Sequence, residues 1–185
     1  MSDTAAQQTE ETIPPVQETS YPAVTDEDRL AYFTSIVELL PYTKTVSLGN
    51  DTIQITFRTI SNLERDLCLS THNAISMPTQ LGFTYVGYAA LAMQVIKLKI
   101  DSKTIVFPKT LKEWLKHLET KLKKEVSELE APRYITEEFR ASINDSPELI
   151  EILTDQLILF NQHVNKLKEE IKAADFFKKI AGLKS

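Results

Sequence analysis

The chain is poor in the residues that most often build catalytic and metal sites. Its 185 residues include one cysteine, three histidines and four glycines. A single cysteine excludes an internal disulfide, and four scattered glycines form no phosphate-binding loop. Cys68 and His72 lie four positions apart on a predicted helix, where they could share a face and hold a metal or support nucleophilic chemistry. No second pair has ligand spacing, so a core cysteine beside a surface histidine explains them better. We expect neither a cofactor nor an enzyme.

Basic residues are absent from the first 28 positions, which carry seven acidic ones. Residues 1–24 also lack an apolar period, so they are predicted to form a disordered acidic tail. The alternative is an arm that becomes ordered on a partner or on a basic face of its own chain. Residues 25–185 are predicted to form a single, mostly helical domain. The N-terminus shows no basic region followed by an apolar run, so a secretory signal is not expected.

One apolar run is long, LGFTYVGYAALAMQVI at residues 81–96. It falls short of the roughly 18–20 residues that a membrane-spanning helix needs. It therefore predicts a buried central helix, from about Gln80 to Ile100, and no membrane insertion.

Residues 97–124 carry nine lysines against three acids, but the net charge of the chain is −5. We therefore do not expect nucleic acid as a partner. The lysines are better explained by contact with an acidic partner or with the acidic tail.

A strand pair is indicated by TKTVSL and TIQITFR, which alternate apolar and polar residues on either side of a Gly-Asn turn. This predicts a β-hairpin at residues 43–59. Phe57 would face the core and Arg58 would face outward, at the rim of a partner-binding surface. Ser61 and Glu64 have capping-box spacing and start the next helix. The short segment TIVF at residues 104–107 is expected to add a third, edge strand.

The remaining helices show apolar residues at spacings of three and four. One helix is predicted from Asp26 to Leu40, one from Lys109 to Pro132, one from about Thr136, and a long one from Pro147 to about Ala174. The apolar face of the first would contain Tyr32, Phe33, Ile36, Val37 and Leu40. The sequence therefore predicts a mainly α protein of the α+β class. It would combine a helical bundle, a long C-terminal amphipathic helix and a two- or three-stranded antiparallel sheet.

The long last helix carries a heptad seam of apolar residues. The members of the seam are Ile150, Leu153, Leu157, Phe160, Val164, Leu167 and Ile171. The apolar face at residues 111–129 of the helix predicted from Lys109 is too short to cover this seam. The uncovered part is therefore predicted to bind a partner helix or a second subunit, through Val164, Leu167 and Ile171, with Phe176 and Phe177 just beyond.

The order of these features resembles a known family. LLPYTKTVSLGNDTIQITFRTISNLERD is followed by an apolar helix, by IDSKTIVFP, by a helix with tryptophan, and by PELIEILTDQLILFNQHVNKLKEEI. Over residues 37–177 this is similar to the tail-assembly chaperones and baseplate-assembly proteins of tailed bacteriophages.

The resemblance implies a non-enzymatic protein of the host cell cytoplasm that holds a helical tail or hub polypeptide until assembly. Its partners would be other phage tail, hub or virion proteins, or a second copy of itself. One alternative is a permanent virion component of the baseplate, neck or tail. The other is a small enzyme that uses Cys68 or His72.

Overall fold

The fold combines helices with one antiparallel sheet, which confirms the predicted α+β class. The computed structural model describes residues 23–49, 51–74 and 79–172, the side chains of residues 71–85 excepted. Within these ranges the elements are, in chain order, α1 (Asp26–Val37), β1 (Thr43–Leu48), β2 (Ile53–Arg58), α2 (Asn62–Ala74), α3 (Thr79–Gln94), β3 (Val95–Ile100), β4 (Lys103–Val106), α4 (Leu111–Leu122), α5 (Ala131–Ser142) and α6 (Pro147–Lys172).

The sheet has its strands in the order β1-β2-β3-β4, and all neighbours are antiparallel. One cross-strand row contains only apolar residues, Val46, Ile55, Leu98 and Ile105. The adjacent row on the opposite face contains Thr45, Thr56, Lys97 and Val106. Because side chains alternate between the two faces of a sheet, one face packs on the core and the other is largely polar.

The sheet contains four strands, whereas the sequence predicted two or three. The apolar helix α3 ends at Gln94, and Val95–Ile100 continues directly as β3. The expected helix to Ile100 was therefore wrong in its last six residues, where the alternation in VIKLKI favours a strand. The edge strand predicted at residues 104–107 is confirmed as β4, and it pairs with β3 rather than with the hairpin.

The bounds of α4 and α5 also differ from the prediction. α4 ends at Leu122, and Lys123 takes the left-handed conformation that terminates many helices. α5 begins at Ala131, with Pro132 in its first turn. Proline is tolerated there because the first N–H groups of a helix have no acceptor within that helix. Pro132 therefore lies at the start of α5, whereas the sequence had suggested that it ended the preceding helix.

Helix α6 is the longest of the described helices. It packs mainly against α1, α3 and β2, while α4 packs against α5. Leu153, Phe160 and Leu167 of its seam are completely buried. Phe57 of β2 stacks on Phe160 with ring centroids 5.4 Å apart, which joins the sheet to α6. The core thus lies between one face of the sheet and the α3 and α6 helices.

Candidate partner-binding surface

Arg58 does not face outward, which contradicts the sequence prediction. Its side chain is 1% exposed. Its Nη1 and Nη2 donate to Glu64 Oε2 at 3.0 Å and to Oε1 at 2.7 Å, so the pair is bidentate. The predicted capping box at Ser61 is confirmed, and it places Glu64 in the first turn of α2, directly against the end of β2. Arg58 is therefore part of a buried ion pair and cannot be the rim of a binding surface.

The α6 seam is also core, so the binding surface predicted on it is wrong in its main part. Val164 and Leu167 are buried, and Ile171 is half-buried against the same core. The prediction assumed that the helix at residues 111–129 would be the internal partner of α6. The structure instead covers the seam with α1, α3 and β2. Phe176 and Phe177 lie outside the described residues.

The Cys68 thiol is 2% exposed, and its Sγ lies 3.5 Å from the sulfur of Met93. Burial raises the pKa of Cys68 to about 12, and the charge of Glu64 adds to this rise. A buried thiol with a raised pKa is not a nucleophile near neutral pH. The side chain of His72 lies outside the described part of the chain. Among the described residues, no group of three or more metal-ligating side chains comes together.

Several of the large apolar side chains that face solvent lie on α1 and on the turn that follows it. We call this set the α1 ridge, and it consists of Leu30, Ile36, Val37, Leu39 and Leu40. Val37 is 64% exposed and Leu39 is 91% exposed. Leu30 and Val37 are seven positions apart and therefore lie on the same side of the helix, two turns from each other. Large apolar residues grouped in this way are typical of a protein–protein contact.

The sequence predicted an apolar face on this helix but placed it in the core. Tyr32 is the one member of that predicted face that is buried, and Phe33 is intermediate. Ile36, Val37 and Leu40 were expected to be buried and are exposed. Helix α1 packs against α6, and the side of α1 that carries these three residues is left exposed.

Leu39 adopts a backbone conformation that leucine rarely takes. Helix α1 ends in a Schellman motif, in which Leu39 N–H donates to Ile36 O at 3.3 Å and Leu40 N–H donates to Ser35 O at 2.9 Å. The motif requires a left-handed residue after the cap, and Leu39 has a φ of 55°. Glycine normally fills this position, since a left-handed L-residue costs about 1–2 kcal/mol. Leu39 therefore combines a strained backbone with an exposed side chain.

A buried polar cluster fixes the position of α1 and hence of the ridge. Asp28 forms the capping box of α1 with Thr25. Its Oδ1 accepts from Lys44 Nζ at 2.7 Å and from the hydroxyl of Tyr42 at 3.2 Å. His163 of α6 lies against the same groups, with Nε2 at 3.3 Å from Lys44 Nζ. Since an ammonium group has only donors, Nε2 is the acceptor in that contact.

The protonation states follow from this geometry. Burial by itself raises the pKa of Asp28, but hydrogen bonds from Lys44 and Thr25 outweigh it and hold the pKa at about 2. Burial lowers the pKa of His163, and the charge of Lys44 lowers it further. The cluster therefore contains an ionised Asp28 carboxylate and a neutral His163 imidazole near neutral pH. A second contact, from Arg29 Nε to Glu170 Oε2 at 2.5 Å, joins α1 to the end of α6.

Comparison with known proteins gives no relative. No known protein family, no curated protein and no solved structure matches this chain. Among the helices that the structure describes, none is long and apolar enough to span a bilayer.

Proposed function

We propose that this chain is a non-enzymatic, partner-binding protein and that the α1 ridge is its binding surface. The observation that carries the proposal is Leu39. Its left-handed backbone costs about 1–2 kcal/mol, and its side chain makes almost no contact within the described part of the chain that could offset this cost. Strained positions of this kind are typical of functional sites.

The shape of the ridge favours a helical partner. Leu30 and Val37 provide apolar contacts two turns apart, and Leu39 and Leu40 extend the surface beyond the end of α1. An amphipathic helix that binds a groove or ridge is anchored by apolar residues at similar spacing. Because α1 is fixed to β1 and α6 by the Asp28 cluster, the ridge is already in position before the partner arrives.

We further propose that the partner is a tail or hub polypeptide of a tailed bacteriophage. The support is the resemblance in element order over residues 37–177 to phage tail-assembly chaperones and baseplate-assembly proteins. In this proposal the chain acts in the cytoplasm of the infected host and covers an aggregation-prone helix until assembly. The alternative within the same proposal is a permanent component of the baseplate, neck or tail.

The test is co-expression of the full chain with the tail and hub proteins encoded in the same phage genome. Leu39→Asn replaces the apolar side chain with a polar one, and asparagine tolerates the left-handed backbone. Fully burying one leucine contributes about 1.5–3 kcal/mol, so loss of Leu39 should weaken binding at least about tenfold. Leu63→Ser is the control, because Leu63 is also an exposed leucine but lies on α2, outside the ridge. It should leave binding unchanged.

Two further measurements sharpen the result. Sedimentation of the isolated chain shows whether the ridge pairs with a second copy, since Leu39→Asn would then convert a dimer into a monomer. Mass spectrometry of purified particles distinguishes a chaperone, which is absent from them, from a virion component. If Leu39→Asn and Leu63→Ser bind the partner equally well, the ridge is not the binding surface.

A further inference from the structure

A second surface lies on the side of α6 away from α1. There a cleft of about 410 Å³ opens between the start of α2, the end of α3 and the α6 helix. Its α6 wall is formed by Asn161, Asn165 and Lys168, whose spacing of four and three places them on one helix face. The α1 contacts of α6 come from His163 and Glu170, which lie on another face. The cleft and the α1 ridge are therefore separate sites.

The side chains that line the cleft give it one sign of charge. Arg65 of α2 and Lys168 of α6 lie on its two walls, and no acidic side chain is among its described lining residues. Neither cation forms an ion pair within the part of the chain that the structure describes. Lys44 and Arg29, by contrast, each have such a partner.

The cations of the cleft also repel one another. Burial lowers the pKa of Lys168, and the charges of Arg65 and Lys172 lower it further. Like charges brought together in this way are relieved by an anion bound between them. The amide groups of Asn161 and Asn165 supply additional N–H donors at the same place.

We propose that this cleft binds a dianionic oxyanion of the phosphate class. Arg65 and Lys168 come from different helices, and Lys172 lies nearby. Their positive charges match a doubly charged anion better than a single carboxylate. The guanidinium of Arg65 offers paired donors that fit two phosphate oxygens. Ala90 and Val164 add apolar side chains to the lining of the cleft. The cleft volume of about 410 Å³ is also large enough to hold such an ion, since a water molecule occupies about 30 Å³ of liquid.

The proposal goes beyond the partner-binding function and does not depend on it. It is tested by titrating the full-length chain with inorganic phosphate at a pH of about 8, where phosphate is mainly the dianion, followed by NMR. The side-chain amide signals of Asn161 and Asn165 should shift with phosphate and not with sodium chloride at the same ionic strength. Acetate, a monoanion, should bind at least tenfold more weakly than phosphate.

Variants identify the residues responsible. Arg65→Met and Lys168→Met should each weaken phosphate binding at least tenfold, while Lys168→Arg should retain it within threefold. Lys116→Met is the matched control, because Lys116 is an exposed helical lysine of α4 that does not line the cleft. It should change the affinity less than twofold.

The proposal is overturned by any of three results. The amide signals of Asn161 and Asn165 could respond to chloride as strongly as to phosphate. Acetate could bind as tightly as phosphate, which would remove the dianion preference. Finally, Lys116→Met could weaken binding as much as Lys168→Met, which would mean that phosphate binds the lysine-rich surface in general.

Discussion

Replacing Leu39 with glycine should stabilise the isolated protein, although it removes a large apolar side chain. Relief of the left-handed backbone contributes about 1–2 kcal/mol, and the greater freedom of glycine in the unfolded chain costs about 0.4–1 kcal/mol. The side chain of Leu39 is 91% exposed, so its removal sacrifices almost no burial. The net effect should be about 1 kcal/mol of added stability, or a rise in Tm of roughly 2–4 °C for a chain of this size.

The assay is urea denaturation of the full chain followed by circular dichroism. A shift in the midpoint at constant slope would report a change in stability alone. Leu30→Gly is the matched control, because Leu30 is also an exposed leucine but lies inside α1 with ordinary helical backbone. There glycine should destabilise by about 1 kcal/mol.

Opposite signs for the two glycine variants are therefore expected. If Leu39→Gly lowers the stability as Leu30→Gly does, the backbone at Leu39 is not strained. The argument that connects Leu39 to binding would then fail as well. If Leu39→Gly is stabilising, the same variant should also bind the partner at least about tenfold more weakly, because glycine relieves the left-handed backbone and also removes the apolar contact.

Arg58→Ala should cost about 3–5 kcal/mol in urea denaturation, because it leaves the buried carboxylate of Glu64 without its partner; a cost below 1 kcal/mol would contradict the buried pair. Phe57→Ala should cost a similar amount, about 3–5 kcal/mol, by opening a cavity beneath the sheet, and an unchanged midpoint would refute this. His163 has a lowered folded-state pKa, so its neutral form contributes stability above about pH 6.5 that is lost as the pH falls toward the folded pKa. The Tm should therefore drop from pH 7 to pH 5, and less so in His163→Gln; equal drops would exclude this histidine as the cause. Removal of residues 1–22, which lack an apolar period, should change the Tm by no more than a few degrees.

Local signals predicted much of this fold. The capping box at Ser61 and the alternation of the hairpin are short-range patterns, and both are confirmed. The strand β3 was missed because the apolar run at residues 81–96 crosses from α3 into β3 without a turn residue. A fully buried helix and a buried strand have the same apolar composition, so periodicity alone does not separate them.

The binding surface could not be predicted because burial is a property of the whole chain. The α6 seam and the α1 apolar face have equivalent patterns in the sequence. Which of the two is covered depends on how many elements pack around each, and α6 has three such neighbours. The burial of Arg58 was missed for a related reason. The capping box predicts the contact between Glu64 and Ser61, but it does not predict that the same carboxylate also binds Arg58 at the end of β2.

The cleft was missed although it left a trace in the sequence. Asn161, Asn165 and Lys168 repeat at helical spacing on the polar side of α6, where they read as ordinary solvated residues. Arg65 comes from a distant part of the chain, and only the fold brings it to the opposite wall. Sites built from two distant segments leave no local motif.

The order of strands in the sheet has a consequence for how the chain folds as it is synthesised. The β1–β2 and β3–β4 hairpins are local and can form within microseconds. The central β2–β3 pairing must wait for residues 59–94, which contain all of α2 and α3. At roughly 5–20 residues per second this is a delay of seconds on the ribosome. During that interval β2, which contains Ile55 and Phe57, has an unpaired edge. An unpaired strand edge of this kind promotes aggregation of a nascent chain.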